Sequence, residues 1–265
     1  MLLAIDIGNT SIVASLFHKD EIIHEWRIHT DSKRTADEYS SILTSLFRDH
    51  GVTVASIKNA VLSTVVPALL GPFIRLTEKM IGKKPVIVST DIYDKLPITI
   101  PATAYHEIGT DLVCNSVEAF CRWKKPVIVV DFGTALTFTA IDGKGNIQGV
   151  AITPGLGTAV NSLFSNTAQL PSVPLIAPQN ALGKNTTHAI QAGIVLGYKG
   201  LVESLIEQIK NDLIKITNCS KTEIKVVATG GLNSVLKPIT DVLQEVDKQL
   251  TLRGLKRISD ILANN

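Results

Sequence analysis

The chain has 265 residues, of which 45% are hydrophobic and 19% are charged, and this balance favours a well-buried globular protein over a disordered one. Its net charge of +2 comes from interleaved basic and acidic residues, which predicts no nucleic-acid-binding face. No apolar run approaches membrane-spanning length, and the first residues lack the basic segment of a secretory signal. The three cysteines have no C-x-x-C spacing, so we expect neither a disulfide framework nor a zinc site. The same low cysteine content predicts a cytoplasmic protein.

The first half of the chain is predicted to form an α/β lobe. It opens with apolar runs that partly alternate with polar residues, a pattern typical of antiparallel strands, and helical spacing follows. In chain order the predicted elements are two strands joined by a turn over 2–17, a strand over 21–30, a helix over 35–51, a strand over 59–66, a helix over 67–82, a strand over 85–91 and an irregular linker up to Pro101.

The second half repeats the order of the first. Residues 126–152 predict three strands separated by glycine-bearing turns, and residues 225–236 predict a strand, a Gly-Gly turn and a helix. The stretch 204–216 predicts an amphipathic helix that faces the core. We therefore expect a weak internal duplication: an α/β fold of two similar lobes, residues 1–110 and 111–265, each a mixed β-sheet flanked by helices, with a ligand cleft between them.

A turn of sequence Asp-Ile-Gly-Asn-Thr, residues 6–10, follows the first buried strand. Gly8 permits a tight turn and lets backbone N–H groups approach an anion closely, while Thr10 and Ser11 add hydroxyl donors. Asp6, at the end of the strand, is a candidate for holding Mg²⁺ directly or through water. The same residues also suit an ordinary β-hairpin, so this turn taken alone leaves both interpretations open.

A second turn with the same residue order, Asp131-Phe132-Gly133-Thr134, favours a nucleotide site. Two buried strands that each end in Asp would bury two carboxylates, which is unfavourable unless each has a partner. One bound polyphosphate with its metal ion would provide a partner for both. A third turn, Thr229-Gly230-Gly231, offers bare backbone to adenine or ribose. The chain lacks the three spaced glycines of a Rossmann fingerprint, and a Walker A pattern fails at Pro178 and Asn185.

These three turns resemble the phosphate and adenosine motifs of the actin-like ATPases, and further stretches narrow the resemblance to the type III pantothenate kinases. Length, motif order and spacing agree over essentially the whole chain. The stretches that carry the closer resemblance are Gly109-Thr110-Asp111, the run from Gly149 to Leu156, Thr167-Ala168-Gln169-Leu170-Pro171, and Gly183-Lys184-Asn185-Thr186 leading to Gly193.

The resemblance implies an actin-like fold and the ATP-dependent phosphorylation of pantothenate, the first step towards coenzyme A. It also implies Mg²⁺ carried with ATP, a monovalent cation such as K⁺ or NH₄⁺, and a homodimer. By position it makes Asp111 the catalytic base and Asp131 a K⁺ ligand. The residues expected at ATP are Asp6, Ile7, Gly8, Asn9, Thr10, Ser11, Ile12, Val13, Thr134, Gly230 and Gly231, and those expected at pantothenate are Gly109, Thr110, Asp111, Leu112 and Thr186.

Asp111 has two compatible interpretations. It immediately precedes a predicted amphipathic helix over 112–123, and Asp is a favoured N-cap residue. Phosphoryl transfer also needs an oriented acceptor for the hydroxyl proton, which a carboxylate can supply. The residues alone favour the cap, and the resemblance adds the catalytic role.

Three positions depart from the pattern that the resemblance leads us to expect. Leu112 stands where an Arg is usual, Ala102 stands where a substrate-contacting Tyr is usual (with Tyr105 nearby), and Thr139 stands where an Asp is common. All three concern the acceptor side or its surroundings. Besides an active pantothenate kinase, the sequence therefore leaves open a kinase of another small hydroxylated substrate, and a non-catalytic nucleotide-binding regulator of the kind linked to the Bvg accessory factor.

Overall fold

In a computed structural model the chain folds into two compact α/β units. The structure describes residues 1–166 and 170–264. The first unit comprises Met1–Glu118 together with Leu250–Asn265, and the second comprises Ala119–Gln249. Each unit contains a five-stranded mixed sheet flanked by helices, which confirms the predicted fold class.

The secondary structure follows the chain as a series of short strands and helices. The strands are β1 (Leu2–Ile7), β2 (Ser11–His18), β3 (Glu21–His29), β4 (Asn59–Thr64), β5 (Val86–Ile87), β6 (Val127–Phe132), β7 (Ala135–Ile141), β8 (Ile147–Pro154), β9 (Lys225–Gly230) and β10 (Glu245–Val246). The helices are α1 (Ala36–Asp49), α2 (Pro67–Ile81), α3 (Thr90–Tyr93), α4 (Thr110–Trp123), α5 (Leu156–Ser165), α6 (Thr186–Gln191), α7 (Gly197–Thr217), α8 (Asn233–Leu236) and α9 (Leu250–Ala263). A π-helical turn, Ala192–Leu196, joins α6 to α7.

The two sheets have the same internal order, which confirms the predicted duplication. The first runs β3-β2-β1-β4-β5 and the second β8-β7-β6-β9-β10. In both, a three-stranded antiparallel meander continues into a parallel pair, β1 with β4 and β6 with β9. Asp6 is level with Ser63 in the first parallel pair, and Asp131 is level with Thr229 in the second. Asp6 and Asp131 therefore occupy equivalent positions in the two sheets, as do Ser63 and Thr229.

The first unit has a core of aliphatic and aromatic side chains between its sheet and its helices. Helix α1 begins with a capping box, in which Thr35 and Glu38 each bond the other's backbone N–H, and it buries one face against α2. Helix α2 begins at Pro67 and is capped after Ile81 by Gly82, whose φ of 80° is the left-handed conformation that glycine adopts readily. The largest fully buried side chains here include Tyr39, Leu43, Phe47 and Phe73.

Helix α9 completes the first unit although it lies at the far end of the sequence. It packs on β1 and β4, and buried Gly254 lies so close to the backbone of Cys114 in α4 that a Cβ atom would collide with it. Arg257 Nε also donates to the buried carboxylate of Glu118 at 2.7 Å. This packing groups α9 with the first compact unit, whereas the sequence analysis groups it with residues 111–265.

The predicted elements of the first half are present, with one exception. The strand predicted over 85–91 is limited to Val86–Ile87, and helix α3 begins at Thr90. Ser89, with extended backbone, precedes the helix and Asp91 lies in its first turn, which are the residue types that favour a helix start. The chain's local preference thus changes from strand to helix within this segment.

One helical stretch within the described residues, Thr186–Thr217, has the length and apolar composition of a possible membrane span, with a mean hydropathy of 1.3. Core helices of globular proteins pass the same test. The helix predicted over 204–216 lies inside it, and Val202, Ile206 and Leu213 are buried in the core of the second unit, as expected for a core-facing helix.

Candidate functional site

The turn after β1 is a tightly bonded loop that presents backbone to solvent. The N–H of Gly8 donates to the carbonyl of Ser11 at 3.1 Å, and a Cβ atom on Gly8 would lie 3.0 Å from that oxygen. Thr30, just after β3, donates its hydroxyl to the Gly8 carbonyl at 2.7 Å and its N–H to the Thr10 carbonyl at 3.1 Å. These bonds fix the turn from the neighbouring strand before any ligand binds.

The eight residues predicted to surround ATP phosphate differ in burial: two are exposed, two are buried, and Asp6, Gly8, Ser11 and Val13 are half-buried. Asn9 and Thr10 are exposed at the tip of the turn, whereas the side chains of Ile7 and Ile12 are fully buried in the core. Asp6 is half-buried at the carboxyl end of β1. The two isoleucines can reach a phosphate only through their backbone, and the tip residues and Asp6 can reach it through their side chains.

The start of α4 is attached to the end of β4 by one hydroxyl. Thr110 Oγ1 donates to the Thr64 carbonyl at 3.0 Å, accepts the Thr64 N–H at 3.1 Å, and lies 2.9 Å from Ser63 Oγ. Ser63 is level with Asp6 in the parallel pair of β1 and β4. The predicted acceptor residues 109–112 and the predicted phosphate turn therefore meet at the same edge of the first sheet.

The carboxylate of Asp111 folds back over the beginning of its own helix. Its Oδ1 accepts the Leu112 N–H at 2.9 Å, and it lies where a side chain on Gly109 would have to be. Burial raises the pKa of the Asp111 carboxyl, and hydrogen bonds from the backbone N–H groups of Leu112 and Asp111 oppose that rise only in part. The result is a carboxyl group that binds a proton more readily than an exposed Asp does.

Two of the three departures noted in the sequence, Leu112 and Ala102, lie in the first unit. Leu112 is buried, with 7% of its surface exposed, and it brings no charge to the helix start. Ala102 is exposed in a short 3₁₀ turn. The hydroxyl of Tyr105 donates to Asp94 at 3.0 Å, and its ring stacks edge-on against Tyr93, so this side chain is held at α3.

The second unit repeats the turn geometry around Asp131. The N–H of Gly133 donates to the Ala135 carbonyl at 3.1 Å, as Gly8 does to Ser11 in a turn that is one residue longer, and the carbonyl of exposed Thr134 accepts the N–H of Gly155 at 2.9 Å. A Cβ atom on Gly155 would overlap the carbonyls of Gly133 and Thr134. The start of α5 therefore fixes this turn, as Thr30 fixes the first one.

Asp131 lies in a row of oxygen-bearing side chains across the second sheet. It is level with Thr137 of β7 on one side and Thr229 of β9 on the other, so the three side chains share one face. Within the described residues, the buried hydroxyls of Thr137 and Thr139 have no hydrogen-bond partner. A carboxylate beside hydroxyl oxygens is a donor set that suits a hard cation.

Gly230 and Gly231 end β9 in different environments. Gly230 has a φ of 84°, and a Cβ atom there would lie 2.6 Å from the Phe132 carbonyl and 2.7 Å from Asp131 Oδ1. The side-chain amide of buried Asn233 donates to the Gly230 carbonyl. Gly231 has nothing within 4 Å of the corresponding position and leaves open space beside its backbone.

Thr186 of the second unit lines an open pocket of about 570 Å³, and residues of the Asp131 and Gly230 turns are not in its lining. Thr186 begins α6, which Asn185 caps by accepting the His188 N–H at 2.9 Å. Of the predicted motif Thr167 to Pro171, residues 167–169 lie outside the described part of the chain. The pocket is lined by Leu163, Leu170, Gly183, Lys184, Asn185, Thr186, Ala189, Ile190, Gly193 and Ile194.

Sequence reasoning missed two side chains at these edges, Ser63 and Thr137. Ser63 occupies in the first sheet the position that Thr229 occupies in the second, so aligning the duplicated halves residue by residue could have identified it. Thr137 lies two residues into the strand that follows the Asp131 turn, where strand alternation puts it on the face of Asp131. Both signals depend on the register of the sheet.

Comparison with known proteins gives one consistent family. The family model described as type III pantothenate kinase matches residues 2–208. A type III pantothenate kinase from Syntrophotalea carbinolica is 40% identical over 256 residues, which cover 97% of this chain and 97% of that protein. A type III pantothenate kinase from Treponema pallidum (strain Nichols) is 41% identical over 265 residues, which cover 98% of this chain and 94% of that protein.

Solved structures of low sequence identity share the fold. A Campylobacter jejuni protein assigned to the Baf family of transcriptional activators has a TM-score of 0.60 at 17% identity, covering 99% of this chain and 100% of its own. The activator of 2-hydroxyisocaproyl-CoA dehydratase from Clostridium difficile, solved with bound ADPNP, has a TM-score of 0.52 at 12% identity, covering 99% of this chain and 96% of its own. At these identities the likeness establishes the fold alone, and with the duplicated sheets it confirms the actin-like fold.

The two glycines at the end of β9 generate a test of the turn geometry. Gly230→Ala should lower the free energy of unfolding by about 1–3 kcal/mol, because the left-handed backbone and the Phe132 carbonyl both oppose a Cβ atom. Gly231→Ala is the matched control and should leave stability within about 0.5 kcal/mol of the wild type. Urea unfolding measures both, and equal stability of the two variants would contradict the turn described here.

Proposed function

The chain belongs to the type III pantothenate kinase family, and on that premise we propose which residues carry out the phosphorylation of pantothenate. The reaction transfers the γ-phosphoryl group of ATP to the hydroxyl of pantothenate, forms 4'-phosphopantothenate and ADP, and opens coenzyme A biosynthesis. The observation that carries the proposal is the meeting of Asp111 and the Asp6 turn at one edge of the first sheet.

Asp111 is the proposed general base. As the pantothenate oxygen bonds to phosphorus and the bond to ADP breaks, the hydroxyl proton passes to the Asp111 carboxylate. Burial raises the pKa of this carboxyl, which makes its ionised form a stronger proton acceptor than an exposed Asp. Its hydrogen bond from Leu112 N–H orients one carboxylate oxygen.

The turn formed by residues 6–13 is the proposed phosphate cradle. Its exposed tip supplies backbone N–H groups and the hydroxyl of Thr10, and Asp6 supplies a carboxylate at the strand end. Mg²⁺ that arrives with ATP offsets the charge of the phosphates, and an Asp at this position suits it directly or through water. The preformed bonds from Thr30 to this turn lower the cost of ordering it around an anion.

Asp131, Thr134, Gly230 and Gly231 are the proposed nucleotide and cation residues of the second unit. The row of Thr137, Asp131 and Thr229 fits a monovalent cation such as K⁺ or NH₄⁺, because it pairs one carboxylate with hydroxyl oxygens. Thr134 is exposed at a turn tip and can contact a phosphate, and the open space at Gly231 suits adenine or ribose.

On the acceptor side, residues 109–112 and Thr186 are the proposed pantothenate contacts. Leu112 is buried and uncharged, so it cannot hold a carboxylate as an Arg would. Recognition of the pantothenate carboxylate must then come from groups other than the side chain at position 112. The expected cytoplasmic setting and the absence of nucleic-acid or membrane partners stay predictions.

The central test is a coupled assay of ATP consumption with pantothenate, Mg²⁺ and K⁺. The wild type should show pantothenate-dependent turnover, and Asp111→Asn should lower kcat by about 10²- to 10⁴-fold, because the amide cannot accept the proton. Asp37→Asn makes the same change in the first turn of α1, where the side chain is largely exposed, and should leave kcat unchanged.

Two outcomes of this assay would contradict the proposal. Turnover by Asp111→Asn at the wild-type rate would remove Asp111 from the role of base. ATP binding by the wild type without turnover on pantothenate would favour a nucleotide-binding regulator or, if another hydroxylated acceptor supports turnover, a kinase of that acceptor.

Cation dependence tests the Asp131 row separately. Replacing K⁺ with a large organic cation should lower wild-type turnover, and Asp131→Asn should abolish the stimulation by K⁺, because the amide lacks the charge that holds the ion. Asp212→Asn, on the exposed face of α7, should keep the wild-type K⁺ response. The proposed cation site is wrong if the Asp131 variant responds to K⁺ as the wild type does.

We also propose a homodimer, which rests on the family and not on a surface identified in this chain. Light scattering of the purified protein should give a mass of twice 28.5 kDa. A monomeric mass at the concentration used in the activity assay would contradict the dimer.

A further inference from the structure

Thr110 was predicted to face pantothenate, but its side chain is engaged elsewhere. Its hydroxyl donates its single proton to the Thr64 carbonyl and accepts from the Thr64 N–H, and Ser63 Oγ lies within 2.9 Å. The Thr64 contacts use the hydroxyl's one proton and one of its acceptor positions, and Ser63 Oγ lies beside it. The Thr110 hydroxyl is therefore engaged with the end of β4.

The residues of β4 that bond Thr110 pair with the end of β1, where the proposed phosphate turn begins. Ser63 and Thr64 are level with Asp6 and Ile7 in the parallel pair of β1 and β4. The next N–H of the chain, that of Val65, donates to the Ile7 carbonyl at 3.1 Å and continues this ladder. The Thr110 hydroxyl thus joins the start of α4 to a strand end whose position relative to Asp6 is already fixed.

Gly109, on the other side of Thr110, determines where the neighbouring carboxylate can lie. A Cβ atom on Gly109 would overlap Asp111 Oδ1, and the Leu112 N–H holds that oxygen at 2.9 Å. Any side chain at residue 109 would push the carboxylate out of this orientation. The backbone at Gly109 has no left-handed φ, so the need for glycine here is a matter of space.

We propose that Thr110 and Gly109 are positioning residues for the base, Thr110 by bonding α4 to the end of β4 and Gly109 by leaving space for the Asp111 carboxylate. This inference rests on the proposed role of Asp111. Under this proposal Thr110 does not contact pantothenate and instead positions the Asp111 carboxylate. A displacement of about 1 Å in a reacting group can cost on the order of 10²-fold in rate, so such support is a large part of catalysis.

The test compares two substitutions at Thr110 in two backgrounds. Thr110→Val keeps the shape and loses the hydroxyl, and Thr110→Ser keeps the hydroxyl. In the wild-type background we expect Thr110→Val to lower kcat by about 10- to 100-fold with little change in KM for either substrate, and Thr110→Ser to stay within about 3-fold of the wild type. In the Asp111→Asn background, Thr110→Val should lower the residual kcat no further, because the group it positions is gone.

A matched control separates positioning from general stability. Thr77 is a fully buried threonine of the same unit whose hydroxyl bonds to the Phe73 and Ile74 carbonyls of its own helix, at 2.7 and 3.0 Å. Thr77→Val should lower the melting temperature as Thr110→Val does and leave kcat unchanged. If Thr110→Val does not fold, Gly109→Ala makes the same test, with a loss of kcat expected only when Asp111 is present.

The outcomes distinguish this inference from the proposed function. Full activity of Asp111→Asn overturns the base and the positioning together. A large loss in Asp111→Asn, with Thr110→Val or Gly109→Ala lowering kcat by the same factor in both backgrounds, overturns only the positioning. A rise in KM for pantothenate at unchanged kcat in Thr110→Val would return Thr110 to the acceptor contacts.

Discussion

The parallel pairing of two strands in each unit is the constraint on which the candidate site depends. Because β1 and β4 run in the same direction, their carboxyl ends meet at one edge, and the loops that leave them lie side by side. The Asp6 turn and the start of α4 meet there. The pair β6 and β9 does the same for Asp131 and Gly230. Residues distant in sequence become neighbours through strand direction alone.

A substantial part of this arrangement could be predicted from local sequence. An Asp at the end of an apolar run, followed by Gly and a hydroxyl residue, marks a strand end and a tight turn, and the pattern occurs once in each half. Comparing the halves therefore predicted that the same order of elements occurs twice along the chain. These features succeed because strand alternation and turn chemistry are properties of adjacent residues.

Other features depend on contacts that adjacent residues do not encode. The bond from Thr110 to Ser63 and Thr64 requires the register of β4 and the approach of α4, and neither has a local signature. The same holds for α9, where Gly254 gives no sign in the sequence that it lies against Cys114. The buried position of Leu112 likewise follows from tertiary packing.

The return of α9 to the first sheet makes one unit discontinuous and the other continuous. Residues 119–249 can reach their native contacts as soon as they have been synthesised, whereas the sheet that carries Asp6 must wait for Leu250–Ala263, which follow the whole of the second unit. The order of synthesis is therefore not the order of completion. The first sheet therefore gains its packing against α9 only after the second unit has been synthesised, although the bonds that fix the Asp6 turn join residues of its first strands alone.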